Sequence, residues 1–154
     1  MTGNKDLPKI IVIGPGGGHL AEAMLATEGV PMRRIVATYC EPHIRETMSG
    51  ERLWCLVNPH GVLWKYVVNA FQGLYMLLRE RPKAIISTGG GMSIATALIG
   101  KVLGIKLIYV ESGARVTSPS RTGKLLYRYA DLFIVQWEPM LKHFPKAIYG
   151  GMLF

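Results

Sequence analysis

Short runs of apolar residues alternate along this chain with longer segments in which apolar positions recur every three or four residues. The short runs are rich in Ile and Val, which is typical of buried strands, whereas the longer segments have the period of a helix. Alternating strands and helices favour a mainly parallel sheet with helices on both faces, so we predict an α/β fold, a single Rossmann-like domain over residues 1–154. Strands are predicted at 9–13, 33–39, 53–57, 83–87, 106–110, 131–135 and 147–149. Helices are predicted at 19–27, 61–81, 92–103 and 122–129, with a helical turn at 138–143 and loops at 41–52 and 111–120.

Two of the predicted strands end in glycine-rich loops that lead directly into helices. The first loop, Gly-Pro-Gly-Gly-Gly at 14–18, is followed by His19, and the second is Thr-Gly-Gly-Gly at 88–91. Ligands of parallel sheets bind at the carboxyl ends of the strands, and the free N–H groups at a helix start suit phosphate. Either loop could instead be a tight turn or a close helix–strand contact without a ligand. The candidate phosphate-binding glycines are Gly16, Gly17, Gly18, Gly89, Gly90 and Gly91.

Neither loop has the complete fingerprint of a common nucleotide site. No Lys-Ser/Thr pair follows, as it would in a Walker A loop, and His19 stands where the pattern G-x-G-x-x-G has its last glycine. Glu41, about twenty residues further on, could still bind a ribose. A nicotinamide-dinucleotide module therefore remains an alternative.

The charge balance indicates an anionic partner. Lys and Arg number 18 against 10 Asp and Glu, which gives a net charge of +8. Phosphate-bearing substrates, acidic lipid and nucleic acid all fit such a charge, but no nucleic-acid recognition motif is present and we expect no nucleic-acid partner. The only two aspartates, Asp6 and Asp131, cannot form an Asp-x-Asp pair, and we expect no metal site. Cys40 and Cys55 do not form a CxxC pair and are expected to be reduced thiols.

His19 and Glu111 are the candidate catalytic residues. His19 begins a predicted helix beside the glycine loop, where a neutral imidazole could accept a proton from an attacking hydroxyl. It could also hydrogen-bond the loop or a phosphate without catalysing. Glu111 ends a predicted strand at the same edge of the sheet and could accept a substrate hydroxyl, although pairing with Arg115, a further candidate phosphate ligand, is the simpler role.

Two segments could face a membrane or a protein partner. Helix 62–78 is apolar around most of its circumference, and its aromatic residues, Trp64 and Phe71 among them, suit a membrane interface. No apolar stretch is long enough to span a bilayer, and no signal peptide is visible at the N-terminus. Each segment could also be an ordinary buried or solvated face. The second segment, 112–128, contains no acid and four cations, of which the last three fall on one face of the predicted helix: Arg115, Arg121, Lys124 and Arg128.

Six longer motifs are spread along the chain. They are GGGH at 16–19, STGGG at 87–91, KLIYVESGAR at 106–115, TGKLLY at 122–127, ADLFIVQW at 130–137 and PKAIY at 145–149. Together they closely resemble the Alg14 family and its bacterial relatives, the PssD-type subunits of capsule and exopolysaccharide glycosyltransferases. The resemblance covers residues 9–154 and is most specific over 105–137. The first part of the chain is also similar to the N-terminal, acceptor-binding half of MurG-type GT-B transferases.

The resemblance implies the membrane-facing half of a GT-B glycosyltransferase. The other half would be a separate Alg13/PssE-type subunit that binds a UDP-sugar, and the acceptor would be linked to a polyprenyl diphosphate. No cofactor is expected, since the UDP-sugar is a co-substrate, and no bound metal is expected either. The reaction would serve capsule or exopolysaccharide synthesis, or lipid-linked oligosaccharide synthesis, at the cytoplasmic face of the cell membrane. The chain would bind the anionic membrane surface peripherally.

The alternative role is a non-catalytic membrane adaptor that recruits the catalytic partner, with His19 purely structural. The chain departs from the family in two places: eukaryotic members carry an N-terminal membrane helix that is not visible here, and Pro15 with an extra glycine alters the first loop. The apolar end of the chain, 151–154, is expected to lie near the partner because an exposed apolar end tends to be covered. These residues could instead pack back on their own domain.

Overall fold

The computed structural model describes residues 7–154. Asp6 and the N-terminal segment in which no signal peptide was predicted lie outside the described residues. Within 7–154, seven strands form one sheet in the order β3-β2-β1-β4-β5-β6-β7, and all neighbouring strands are parallel. The strands are β1 (Lys9–Ile13), β2 (Arg33–Thr38), β3 (Arg52–Cys55), β4 (Ala84–Ser87), β5 (Lys106–Val110), β6 (Leu132–Val135) and β7 (Ile148–Tyr149). The helices are α1 (Gly18–Ala26), α2 (Pro42–Thr47), α3 (Leu63–Glu80), α4 (Gly91–Val102) and α5 (Arg121–Leu126), with a 3₁₀ turn at Glu138–Lys142. The predicted Rossmann-like α/β fold is confirmed.

The sheet is covered on both faces, which explains why its strands appear as continuous apolar runs. Ile11 and Ile13 of β1 belong to the larger core, to which α3, α4 and α5 contribute. Ile10 and Val12, which point the other way, pack with Ala23 of α1 in a smaller cluster. The first strand is therefore buried on both sides and holds the loop that follows it in a fixed place.

The strand order reverses next to β1. From β1 the chain runs outward to β2 and β3, and α3 then returns it to β4 on the other side of β1. At such a reversal the connections that follow the two strands go to opposite faces, and a crevice opens between the carboxyl ends of the strands. The loops 14–17 and 88–90 follow β1 and β4, so both glycine loops border this crevice.

The prediction of a loop over 41–52 is wrong, because α2 forms within it. Proline occupies the first helical position of α2, where its fixed φ is favourable. Ile44 is the one buried residue of this short helix and packs with Leu20 and Val36. A single apolar contact gives no helical period in the sequence.

The prediction that Cys40 and Cys55 are reduced thiols is also wrong, because the two form a disulfide. The parallel pairing of β2 with β3 places Thr38 opposite Cys55, and the Cα atoms of the two cysteines lie 5.2 Å apart. Their separation of 15 residues in the sequence contains no sign of this pairing, which depends on strand order.

Candidate functional site

The two glycine loops touch each other at the crevice. The Thr88 hydroxyl donates a hydrogen bond of 2.7 Å to the main-chain oxygen of His19. Gly90 has a φ of +80°, and a Cβ there would lie 2.6 Å from Cδ of Pro15. The contact between the loops therefore requires glycine at position 90, for both conformational and steric reasons.

Helices α1 and α4 both begin at this contact, and neither start has a side-chain cap. Their N-cap residues are Gly17 and Gly90, which have no side-chain oxygen to offer. The first N–H groups of a helix have no partner within the helix, and the positive end of the helix dipole adds to them. Gly17 and Gly18 are open, since a Cβ at either would meet nothing within 4 Å. Two neighbouring helix starts of this kind favour an anion.

His19 lies between two cavities, of about 580 Å³ and about 410 Å³, and lines both of them together with Ser112 and Ala114. Its side chain is 37% exposed, but Nδ1 is buried and has no hydrogen-bond partner. Nε2 is therefore the ring nitrogen that a ligand in either cavity can reach.

The larger cavity is basic. Arg115, Arg121 and Lys124 are exposed and line it together with Gly89 and Gly90. In the part of the chain that the structure describes, none of these three cations pairs with a carboxylate. Positive charge that is not already neutralised, beside free backbone N–H groups, suits a phosphate or diphosphate ligand.

Arg128 does not join this basic cavity. The predicted helix over 122–129 ends at Leu126, so the expected common face of Arg121, Lys124 and Arg128 does not form. Arg128 instead lines a separate cavity together with Asp131 and Lys146.

Glu111 is buried, and its carboxylate holds the loop that follows β5. Oε2 accepts hydrogen bonds from the Ser120 N–H at 3.2 Å and the Ser120 hydroxyl at 3.0 Å, and Oε1 accepts one from the Ser112 N–H at 3.1 Å. Ser120 in turn caps α5 by accepting from the Gly123 N–H at 2.8 Å. Among the described residues Glu111 forms no ion pair with Arg115, and it lines neither cavity. This geometry favours a structural role for Glu111, and its catalytic role stays a prediction.

Tyr109 lies directly beneath the basic cavity and was missed by sequence reasoning. It is fully buried, and its hydroxyl lies 3.2 Å from Oγ of Ser120. Burial, and then the negative charge of Glu111, raise the pKa of this phenol far above its ordinary value. Tyr109 therefore adds no charge to the cavity floor. The only signal in the sequence was its place in a strand whose other apolar residues are aliphatic.

Glu22 was also missed, although it lies three residues after His19 on the same face of α1. It is buried, and Oε1 accepts hydrogen bonds from the Gly113 N–H at 2.7 Å and the Ser112 hydroxyl at 3.2 Å. Oε2 lies 3.9 Å from Nδ1 of His19. The spacing of three residues between His19 and Glu22 was the one feature of the sequence that could have indicated this contact.

The end of the chain forms a wall of the smaller cavity. Met152 and Phe154 line it together with Trp137. The Leu153 N–H donates a hydrogen bond of 3.1 Å to Oε1 of Gln136. These last residues pack back on their own domain, yet Phe154 remains 71% exposed.

Helix α3 leaves an apolar stripe exposed beside the basic cavity. The Tyr66 hydroxyl approaches the start of α4, where a Cβ on Gly91 would lie 3.1 Å from it. From there the exposed side chains continue at a helical spacing along the outer face of α3. No helix within residues 7–154 has both the length and the apolar character needed to cross a bilayer. The exposed stripe comprises Leu63, Trp64, Val67, Phe71, Tyr75 and Leu78.

Glu41, the ribose ligand of the dinucleotide alternative, is exposed at the start of α2 and lies 3.5 Å from Nδ1 of His43. It lines neither cavity beside His19. Across 7–154, no three His, Cys, Asp or Glu side chains are grouped so that they could hold a metal ion.

The sheet order and the paired glycine loops at the strand reversal define the class of protein: one Rossmann-like half of a GT-B fold. The crystal structure of Acinetobacter baumannii MurG matches 86% of this chain and 42% of that one with a TM-score of 0.73, at 15% identity. The UDP-N-acetylglucosamine 2-epimerase of Rickettsia bellii matches 90% and 41% with a TM-score of 0.73, at 14% identity. This likeness shows the fold alone, and the chain spans about two fifths of each of these structures.

Sequence similarity then identifies the family. The family model described as "Oligosaccharide biosynthesis protein Alg14 like" matches residues 60–153. A relative from Rattus norvegicus, named UDP-N-acetylglucosamine transferase subunit ALG14, is 37% identical over 186 residues, covering 99% of this chain and 86% of the relative. The chain belongs to the Alg14-like family of oligosaccharide biosynthesis proteins, and the resemblance predicted from its motifs is confirmed.

Proposed function

We propose that this chain is a subunit of a glycosyltransferase that transfers a sugar from a UDP-sugar to an acceptor linked to a polyprenyl diphosphate. The observation that carries the proposal is the position of His19, between two uncapped helix starts and beside three cations that pair with no carboxylate within residues 7–154. The name of the rat relative favours N-acetylglucosamine as the sugar. The description of the family favours an oligosaccharide product over a capsule or exopolysaccharide.

In the proposed reaction, His19 is the general base. An acceptor hydroxyl oxygen forms a bond to the anomeric carbon of the donor sugar, and the bond from that carbon to UDP breaks. UDP leaves with the electron pair, and the hydroxyl proton moves to Nε2 of His19. The accessibility of Nε2 and the burial of Nδ1 support this assignment.

The diphosphate of the acceptor is proposed to occupy the basic cavity. Arg115, Arg121 and Lys124 would bind its oxygens, and the starts of α1 and α4 would supply N–H donors. The reaction in this proposal uses no resident cofactor, because the UDP-sugar is consumed as a co-substrate.

A second polypeptide is proposed to bind the UDP-sugar. A GT-B cleft lies between two Rossmann-like halves, and the solved MurG structure is more than twice as long as the part that this chain matches. The rat relative is itself named a subunit. The partner would be of the Alg13/PssE type and would face the small cavity beside the exposed Phe154.

The chain is also proposed to lie peripherally on the cytoplasmic face of a membrane. The exposed stripe of α3 would enter the lipid interface while the cations of the basic cavity face anionic headgroups. Because Tyr66 connects the stripe to the start of α4, this orientation brings the cavity to the level at which a lipid-linked diphosphate lies.

The proposal is tested by reconstituting the chain with an Alg13/PssE-type subunit. UDP release is followed with UDP-N-acetylglucosamine and with N-acetylglucosaminyl diphosphate carried on a short isoprenoid. The wild-type pair is expected to release UDP only when both substrates are present. No release by the pair, with both subunits folded and bound to each other, would overturn the proposal.

The variant His19→Ala distinguishes a catalytic subunit from the rival role, a non-catalytic adaptor. If His19 is the base, this variant lowers the rate on the order of 10²- to 10⁴-fold while partner binding is retained. His43→Ala is the matched control, because His43 is exposed on α2 and lines neither cavity. An unchanged rate in His19→Ala would favour the adaptor.

A further inference from the structure

The two carboxylate oxygens of Glu22 differ in their hydrogen bonds: Oε1 accepts several and Oε2 accepts none. Oε1 accepts hydrogen bonds from the Gly113 N–H at 2.7 Å, the Ser112 hydroxyl at 3.2 Å and Nε2 of Gln136 at 3.4 Å. These donors come from the loop after β5 and from the end of β6, so the carboxylate cannot easily rotate away. Oε2 is buried and has no hydrogen-bond partner.

The buried Nδ1 of His19 is likewise without a partner, and it faces this oxygen at 3.9 Å. Leaving a buried polar atom without a hydrogen bond is unfavourable, so two such atoms this close to each other favour a hydrogen bond between them. Hydrogen bonds between catalytic groups are often long before substrate binds. A small tilt of the imidazole ring would bring Nδ1 of His19 within hydrogen-bond distance of Oε2 of Glu22.

We propose that Glu22 is a positioning residue for His19, an inference that rests on the proposed function. Oε2 accepts a hydrogen bond from Nδ1–H, which fixes the neutral imidazole in the tautomer whose lone pair is on Nε2. That lone pair takes the proton of the acceptor hydroxyl. The imidazolium then carries a proton on each nitrogen, and the carboxylate of Glu22 balances its positive charge.

Glu22→Gln separates this role from a purely structural one. Glutamine has the same shape, so its carbonyl oxygen can still accept from Gly113 and hold the loop. Its amide nitrogen then faces Nδ1 as a donor, which favours the opposite tautomer of His19. Glu80→Gln is the matched control, since Glu80 is also a buried carboxylate but contacts Lys9 and Arg52 rather than histidine.

The first measurement is the tautomer of His19, read from the ¹⁵N shifts of the imidazole in the full chain without any partner. His19→Ala assigns the signal among the four histidines. Neutral His19 is expected to carry its proton on Nδ1 in the wild type and in Glu80→Gln, and to lose this preference in Glu22→Gln. A proton on Nε2 in the wild type, or an unchanged tautomer in Glu22→Gln, would overturn the inference.

The second measurement is the rate of the reconstituted pair. Glu22→Gln is expected to lower kcat on the order of 10²-fold, with KM for the acceptor unchanged. A loss that appears only as a higher KM would overturn a positioning role. Failure of the wild-type pair to release UDP would overturn the proposed function alone, because the tautomer is measured without turnover.

Discussion

The exposed stripe of α3 makes a quantitative prediction for membrane binding. Phe71 and Trp64 are 68% and 63% exposed on the outer face of the helix. Moving a whole large apolar side chain out of water contributes about 1.5–3 kcal/mol, so the exposed part of Phe71 contributes about 1–2 kcal/mol when it enters lipid. Phe71→Ala should therefore weaken partition to vesicles by about 5- to 30-fold.

The assay is flotation of the chain with vesicles of neutral lipid, with and without phosphatidylglycerol. Val102→Ala is the matched control, because Val102 is 88% exposed but belongs to α4 and not to the exposed stripe of α3. Lys124→Ala should cost about 1 kcal/mol on anionic vesicles only, and added salt should reduce that difference.

Three results would refute this reasoning. Equal flotation of Phe71→Ala and the wild type would show that α3 does not enter lipid. Equal loss in Val102→Ala would show that any exposed apolar side chain has the same effect. Binding that is the same with neutral and anionic vesicles and insensitive to salt would remove the electrostatic contribution.

Three further predictions concern stability and assembly. Burial raises the pKa of Glu80, but hydrogen bonds from Lys9 and Arg52 outweigh this effect and hold the pKa below its ordinary value of 4.5. The ionised Glu80 therefore stabilises the folded state above pH 4.5, and this stabilisation is lost as the pH falls through the lower pKa of the folded state. Glu80→Gln should therefore lower the free energy of unfolding by about 2 kcal/mol at neutral pH, and the free energy of unfolding of this variant should fall less steeply in acid than that of the wild type. Urea denaturation at several pH values measures both effects. The same pH dependence in the variant and the wild type would contradict the prediction. Gly73→Ala should destabilise by about 1–3 kcal/mol because its Cβ would overlap the Thr96 side chain, whereas Gly18→Ala, which meets no atom within 4 Å, should change the unfolding midpoint little. Deletion of 152–154 should reduce co-purification of the proposed donor-binding subunit without unfolding the chain, and undiminished co-purification would count against docking at this end.

Sequence reasoning identified the elements that repeat a strong local pattern. The apolar runs of the sheet could be predicted because burial on both faces leaves only apolar side chains at positions 10–13 of β1. Both glycine loops could be placed at the same edge of the sheet because the carboxyl ends of parallel strands all lie at one edge. The order of the strands, by contrast, depends on contacts between distant segments, so neither the disulfide of Cys40 with Cys55 nor the meeting of Thr88 with His19 is visible in the sequence.

The candidate site was predicted less completely than the fold. His19, Gly89 and Arg115 were selected from the sequence, and the structure brings them to one cavity. Glu111 was selected for its position at a strand end, but its side chain turns inward to Ser120. Glu22 was passed over because a glutamate in a helix is usually a solvated residue, and only the loop folded over it reveals its burial.

The position of the last residues has a practical consequence for fusion proteins. Since Met152 and Phe154 line the cavity that His19 also lines, any polypeptide joined to Phe154 emerges beside His19. An affinity tag placed there would occupy the approach to the cavity, whereas β1 begins at the opposite edge of the sheet. The proposed donor-binding half, joined through a short flexible segment after Phe154, would instead be held at a high local concentration over the site, so that dilution no longer separates the two halves.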